Sequence, residues 1–169
     1  MYKFEKRTGT LIWKLTGGGS DSGVTIGFDG KLILPMLGHS CIDAETREVL
    51  WKPELRGTKN CTAAYHNRKI FLSSAGHLVA LDADNGHIDW AYEGAGGLTA
   101  AVVGNNGYVY CGSINNPYFY ALNEKGNSDG TTDCLFRIII EGGLLEATPA
   151  LYRGKAYVLS AGGYYCAIE

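Results

Sequence analysis

Two stretches of this sequence repeat one phrase: Cys41-Ile42-Asp43-Ala44-Glu45-Thr46-Arg47-Glu48-Val49-Leu50-Trp51 and Ala80-Leu81-Asp82-Ala83-Asp84-Asn85-Gly86-His87-Ile88-Asp89-Trp90. In each stretch, tryptophan follows an acidic residue by eight positions. The acidic or amide position, called the anchor below, recurs at intervals of 38, 39, 41 and 46 residues, at Glu5, Asp43, Asp82, Asn123 and Glu169. The aromatic position recurs at Trp13, Trp51, Trp90 and Phe136. A period near 40 residues indicates an array of similar units that bury their faces against one another.

Each unit divides into four short strands, as the third copy shows most clearly. Its apolar, β-branched and aromatic runs lie at 62–65, 69–73, 78–81 and 88–92. Runs of this length, bounded by Gly, Asn, Asp and Ser, are typical of antiparallel strands joined by tight turns. No stretch has the three- and four-residue apolar spacing of a helix. The sequence therefore predicts an all-β chain, one domain over residues 1–169, built as a β-propeller of four-stranded antiparallel blades.

The third copy also resembles a known repeat. Its strand 69–73, its phrase 80–86 and its closing Trp90 resemble the PQQ-like repeat of quinoprotein dehydrogenases, outer-membrane assembly lipoproteins and several kinase sensor domains. In that family the turn glycine and the tryptophan dock neighbouring blades. The matching positions here are Gly9 with Trp13, Arg47 with Trp51, and Gly86 with Trp90. The resemblance covers nearly the whole chain and implies about four repeats, either half of an eight-bladed ring or a small four-bladed ring.

Two other repeat types fit less well. WD-type repeats carry Gly-His early and Trp-Asp late, but only Asp89-Trp90, in reversed order, resembles the second pair. Kelch-type repeats use paired glycines, and the pairs in this chain occupy no constant phase. Spacing and residue type across several copies therefore favour the PQQ-like repeat. Arg47 and Phe136 depart from its pattern and predict weaker docking between blades at those positions.

Charge and hydropathy exclude several classes of partner. The formal net charge is −2 and no basic cluster is present, so neither nucleic acid nor an anionic membrane is an expected partner. No apolar run reaches the roughly 18 residues of a membrane span, so no membrane insertion is expected. Met1 leads directly into the first repeat without a signal pattern. The sequence thus predicts a cytosolic protein, or one exported after removal of a leader absent here.

The cysteines do not form a metal-binding pattern. They are Cys41, Cys61, Cys111, Cys134 and Cys166, an odd number without any Cys-x-x-Cys pair. His39 and Cys41 share a strand face, but two ligands do not make a zinc site. We interpret the cysteines as small apolar strand residues and expect no bound metal.

Quinoprotein dehydrogenases hold their quinone and a calcium ion at the axis of an eight-bladed ring, with a catalytic aspartate and a vicinal disulfide. This chain has no Cys-Cys pair, its carboxylates fall on the anchors, and it has about half the blades. We therefore expect no cofactor, no catalytic residue and no enzyme activity. The predicted function is a non-catalytic interaction, scaffold or sensor module that binds a protein partner. The alternatives are a remnant of a PQQ-dependent dehydrogenase and a small-ligand or carbohydrate-binding propeller.

Residues that recur in every repeat are expected to be structural, with the anchors accepting backbone N–H groups in the following turn. Three segments break the pattern, at 35–37, 115–120 and 127–133. The aromatic run Tyr118, Phe119 and Tyr120 is the candidate exposed anchor for a protein partner. The alternative is that Tyr118 and Tyr120 align with strand residues of the third copy.

The chain ends repeat the same third strand, as Tyr2-Lys3-Phe4-Glu5 and as Tyr164-Tyr165-Cys166-Ala167-Ile168-Glu169. Counting by phase gives two strands, three complete blades and then three strands, one more than four blades need. The hypotheses are a C₂ homodimer that closes an eight-bladed ring, a closed four-bladed monomer, and a piece of a longer chain.

Overall fold

The computed structural model describes residues 1–17, 22–35, 38–55, 61–97, 100–145 and 147–169. Within them the chain forms β-strands and no α-helix, as predicted. The strands are β1 Tyr2–Phe4, β2 Leu11–Lys14, β3 Thr25–Ile26, β4 Lys31–Leu34, β5 Ser40–Asp43, β6 Val49–Trp51, β7 Ala64–His66, β8 Lys69–Ser74, β9 His77–Asp82, β10 Ile88–Glu93, β11 Val102–Val103, β12 Tyr108–Cys111, β13 Tyr118–Asn123, β14 Cys134–Ile139, β15 Ala150–Tyr152, β16 Lys155–Leu159 and β17 Tyr165–Ile168. No helix in these ranges is long and apolar enough to cross a membrane.

The strands form five antiparallel sheets in chain order. We call them half-blade 1 (β1–β2), blade 2 (β3–β6), blade 3 (β7–β10), blade 4 (β11–β14) and blade 5 (β15–β17). Two strands, three complete blades and three strands are the arrangement that the repeat phase predicts. Among the described strands, those of half-blade 1 share no sheet with those of blade 5, so the array is open. The chain is a partial β-propeller.

An internal blade such as blade 3 buries both faces because its neighbours cover it. We call the side toward the next blade the forward face and the side toward the preceding blade the rear face. Successive residues of one strand alternate between them: Ile70 packs on blade 2, whereas Phe71 packs on blade 4. The consecutive apolar residues of strands such as β8 therefore all lie in a core. Three such cores fill the seams between blades 2 and 3, 3 and 4, and 4 and 5.

The aromatic run 118–120 lies in β13, which corrects the expectation of an exposed anchor. Phe119 is 0 % exposed and Tyr120 is 2 % exposed, in two successive seam cores. The pattern breaks in the loop before this strand, whereas the aromatic residues themselves continue the strand periodicity of the repeat. Large aromatic side chains at these positions fill the seams on both sides of blade 4.

Candidate functional site

Four of the five anchors, Glu5, Asp43, Asp82 and Asn123, cap the turn that follows them, as the sequence predicts. Oε2 of Glu5 accepts the N–H groups of Arg7 and Thr8 at 2.9 and 2.6 Å. Oδ1 of Asp43 accepts those of Glu45 and Thr46 at 2.8 and 2.7 Å. Asp82 and Asn123 cap their turns in the same way. The hydrogen bonds from Thr46 and Glu45 hold the pKa of Asp43 below its ordinary value, and those from Thr8 and Arg7 lower the pKa of Glu5.

The tryptophans join each blade to the turn of the next one. The indole N–H groups of Trp13, Trp51 and Trp90 donate to the carbonyl oxygens of Ala44, Ala83 and Glu124, each at 3.1 Å. Each acceptor directly follows an anchor of the next blade. Tryptophan and turn therefore dock across the repeat boundary, and all three indoles are at least nine-tenths buried.

A glycine receives the indole ring at two of these seams. A Cβ built on Gly86 would lie 2.5 Å from Cε3 of Trp51, and one on Gly126 would overlap Cδ1 of Trp90. Both glycines have φ near +75°, at 75° and 73°. Gly126 does not stand out in the sequence, because the insertion at 127–133 obscures the repeat phase there. Arg47 takes the glycine position opposite Trp13 and adopts φ 69°.

The fourth seam, between blades 4 and 5, lacks this arrangement. Phe136 stands at the tryptophan position, and beside it opens a cavity of about 430 Å³. Tyr110, Leu151, Ile168 and Glu169 also line this cavity. At the other seams, the corresponding space holds the turn after the anchor of the next blade. Glu169, the anchor of blade 5, lines this cavity and forms an ion pair with Lys155.

The open end of blade 5 exposes residues of the core type. Tyr157 and Tyr165 occupy the positions of Phe71 and Leu78 in blade 3. Phe71 and Leu78 are fully buried by blade 4, whereas Tyr157 is 42 % and Tyr165 is 83 % exposed. Within the described residues, this apolar forward face is largely exposed.

The open end of half-blade 1 also exposes residues of the core type, here on its rear face. Tyr2 and Phe4 occupy the positions of Val79 and Leu81, which lie in the seam between blades 2 and 3. Here both aromatic side chains are 55 % exposed, and their rings stack on each other. The chain therefore displays an uncovered rear face at one end and an uncovered forward face at the other.

The remaining pattern-breaking segments have identifiable contacts. Tyr118 is half-buried, lies under the Arg137 guanidinium at 5.2 Å and packs edge-on against Tyr120. Partner binding through Tyr118 stays a prediction. The insertion 127–133 covers the outer edge of β10, where the Ala91 N–H donates to the Gly130 carbonyl at 3.2 Å. Residues 36–37 lie outside the described residues.

A buried His–Cys contact replaces the His39–Cys41 pair considered from sequence. Nε2 of His39 lies 3.0 Å from the Cys61 carbonyl oxygen and 3.8 Å from its Sγ. Burial lowers the pKa of His39 and raises the pKa of Cys61, so both groups stay uncharged. Across the described ranges, no group of three or more His, Cys, Asp or Glu side chains is placed to hold a metal ion. This contact therefore joins blades 2 and 3 without activating the thiol.

Comparison with known proteins gives a consistent family and fold. The profile of a family described as outer membrane protein assembly factor BamB matches residues 1–115. BamB from Moraxella catarrhalis superposes with a TM-score of 0.69 at 18 % identity, covering 94 % of this chain and 53 % of that one. Quinohemoprotein alcohol dehydrogenase ADHIIG from Pseudomonas putida HK5 gives 0.64 at 15 % identity, covering 98 % and 38 %.

A third solved structure, the computationally designed Ika4 protein, gives a TM-score of 0.62 at 12 % identity and covers 91 % of this chain and 96 % of that one. No curated protein matches the chain significantly. By the coverage of the superposition, the chain spans about half the length of BamB from Moraxella catarrhalis. At these identities the solved structures establish the fold alone.

Proposed function

Because the chain belongs to the PQQ-like repeat family of the outer membrane protein assembly factor BamB, we propose that it is a non-catalytic propeller module that binds protein. Its first partner under this proposal is a second copy of the chain, which completes the ring. The observation that carries the proposal is the exposure of core-type residues at both ends, Tyr2 and Phe4 on one and Tyr157 and Tyr165 on the other.

The use of the recurring polar groups supports a non-catalytic role. The anchors accept backbone N–H groups of their own turns, and the indole N–H groups are bonded to the next blade. A catalytic constellation requires polar groups that converge on a substrate and have pKa values matched to proton transfer. The buried thiol of Cys61 has a raised pKa, which disfavours the thiolate that nucleophilic chemistry needs.

The family description supports a role in protein assembly. The matching family is that of an outer membrane protein assembly factor, and a propeller without catalytic groups is suited to present its rims and edges to other proteins. We extend this role to the chain as a scaffold. Tyr118 and the insertion 127–133 both lie on blade 4 and belong to segments that differ from the other repeats.

The two end faces support ring closure by a second copy. An uncovered sheet face and an unpaired strand edge favour association with another β-surface. The forward face of blade 5 and the rear face of half-blade 1 both expose apolar residues, and a second copy can cover them at both ends. Two copies joined in this way have two identical seams, so C₂ symmetry closes the assembly completely.

Light scattering at micromolar concentration tests ring closure. We expect a species of twice the chain mass of 18.2 kDa, with a melting temperature that rises with protein concentration. The paired substitution Tyr157→Asp and Tyr165→Asp should reduce the mass to that of one chain while retaining the β-sheet circular dichroism spectrum. The matched control is Ile88→Asp, an exposed residue on an internal blade, which should leave the dimer intact. A wild-type species of 18.2 kDa that is stable on dilution would contradict closure.

Reconstitution with pyrroloquinoline quinone and calcium tests the absence of dehydrogenase activity. We expect neither bound quinone absorbance nor dye reduction with primary alcohols. Stoichiometric quinone binding with dye reduction would support the dehydrogenase alternative and overturn the scaffold.

A further inference from the structure

We propose that in this dimer the β1–β2 hairpin of the second copy takes the place of β17 beside β16, an inference that rests on the proposed ring closure. Each seam blade then consists of β15 and β16 from one copy and β1 and β2 from the other. The two copies contribute eight complete blades, and β17 is displaced.

β1 and β17 are two versions of one strand. Each is the third strand of its unit and precedes an anchor, Glu5 or Glu169, at the same spacing. A ring that kept both would have two third strands in one blade. Only one of them can pair with β16, because β15 already occupies the other edge of β16.

The register of β16 shows what replacement would bury. β16 pairs Ala156 with Ile168 and Val158 with Cys166, on the rear face toward blade 4. In the same register, Phe4 takes the place of Ile168 and Tyr2 takes that of Cys166. The two exposed aromatic side chains of the hairpin would then enter the seam that contains Phe136.

Phe136 and Gly9 are the two sides of an aromatic–turn contact, and each lacks its partner among the described residues of the single chain. At complete seams an aromatic ring packs on the turn residue of the next blade, as Trp51 does on Gly86. Phe136 has a cavity where that turn would lie. Gly9 has the turn conformation, with φ 70°, yet nothing lies within 4 Å of the Cβ that would be built on it. Replacement of β17 by the hairpin brings Gly9 of the second copy to Phe136.

The hairpin is already held in position for this role. Trp13 donates to Ala44, and Lys3 forms an ion pair with Glu45, so β1 and β2 are docked on blade 2 of their own chain. A docked hairpin loses little conformational freedom on association. It also adds a fourth strand to the seam blade, which β17 alone does not.

Cysteine crosslinking tests the register directly. In a Cys166→Ser background, Tyr2→Cys and Val158→Cys should form a disulfide between chains under mild oxidation, because directly opposed strand residues have Cβ atoms at bridging distance. The control is Lys3→Cys with Val158→Cys in the same background. Lys3 points to the opposite face of the strand and should not crosslink.

Each outcome on a non-reducing gel is decisive. A disulfide between two chains for the Tyr2 variant alone supports strand replacement. No crosslink in a protein that light scattering shows to be dimeric overturns the replacement but leaves ring closure standing. A crosslink within one chain overturns the second copy as occupant, and a monomer without crosslink overturns both proposals.

Deletion of residues 163–169 gives a second measurement that does not depend on new cysteines. If β17 competes with the hairpin, its removal should lower the dimer dissociation constant by about tenfold or more, since the binding-competent state becomes the main one. Loss of the dimer in this variant would overturn the replacement. Stepwise removal of residues 1–5 is the matched control and should abolish the dimer.

Discussion

At the scale of single residues, the contact between an indole and the turn of the next blade is the recurring unit of this molecule. It combines a hydrogen bond from the ring with close packing on a turn residue at positive φ. The carboxylate of the anchor holds that turn in shape. In three repeats, the tryptophan of one blade therefore meets a turn that the anchor of the next blade caps.

Truncation of Trp90 should be among the most destabilising changes in the chain. Trp90 is 1 % exposed and fills the seam between blades 3 and 4, so Trp90→Ala should lower the free energy of unfolding by about 3–5 kcal/mol. Trp90→Phe keeps much of the packing and loses the bond to Glu124, and should cost less. Urea unfolding measures both. A cost below about 1 kcal/mol for the alanine variant would mean that the ring is not packed.

Two glycines with the same backbone conformation should respond differently to alanine. Gly86→Ala places a Cβ against Trp51, whereas Gly9→Ala meets nothing within 4 Å. Both substitutions carry the cost of left-handed backbone, about 1–2 kcal/mol, and only Gly86→Ala adds overpacking of about 1–3 kcal/mol. Equal melting temperatures for the two variants of the monomeric Tyr157→Asp, Tyr165→Asp background would contradict this role of the turn.

Because the pKa of Asp43 is lowered in the folded state, part of the free energy of unfolding depends on pH. The folded pKa lies below the unfolded value of about 3.9, so the contribution is present above the unfolded pKa and is lost as pH falls through the folded pKa. Asp43→Asn keeps an acceptor oxygen without a titrating group. We expect its urea midpoint to fall less than that of the wild type between pH 7 and pH 3. Asp43→Ala is the control and should be less stable at pH 7; parallel pH profiles for wild type and Asp43→Asn would contradict the assignment.

At the scale of elements, an irregular segment has a simple structural use. The insertion 127–133 lies along β10 and gives its outer edge a partner at Ala91. Unpaired edges promote unwanted pairing between chains, and loops that cover them are a common solution. The departure from the repeat period at this point is thus an edge cover in the structure.

Hydrogen exchange at Ala91 tests the edge cover. Asp129 accepts bonds from the N–H and hydroxyl of Thr131 at 3.0 and 2.6 Å and shapes the insertion. Asp129→Ala should speed Ala91 exchange by about three- to tenfold through loss of local stability, with little change in global stability. Thr10→Ala removes a comparable exposed turn bond far from β10 and should leave Ala91 unchanged. Unaltered exchange in the Asp129 variant would show that the loop does not protect the edge.

At the scale of the whole molecule, the array is held by three seam cores, and its two ends are incomplete in complementary ways. A linear stack of blades leaves one uncovered face at each end, and a ring leaves none. The described chain reaches three complete blades and two partial ones. Closing the ring would therefore bury both of the faces that the open array leaves exposed.

Metal removal should not affect stability. Folding rests on apolar seams and capped turns, and the described residues contain no ligand group for a structural ion. Prolonged EDTA treatment should shift the melting temperature by less than about 1 °C, because no binding free energy is lost. A zinc-stripped metalloprotein of similar size, treated in parallel, verifies that the chelator is effective. A drop of many degrees would reveal a site that includes residues beyond the described ranges.

The sequence alone determined the β-propeller class, the phase of the seventeen strands found in the described ranges, and the role of the anchors, because a repeat of about 40 residues displays its period and turn chemistry locally. Tertiary structure decided which turn each tryptophan meets, since Trp51 contacts Gly86 in the next repeat rather than its own Arg47. It also placed Phe119 and Tyr120 in the core, because alternation along β13 sends them to opposite seams. The open faces at Tyr165 and Phe4 emerged only from packing, since the same residue types at the same phase are buried wherever a neighbouring blade exists.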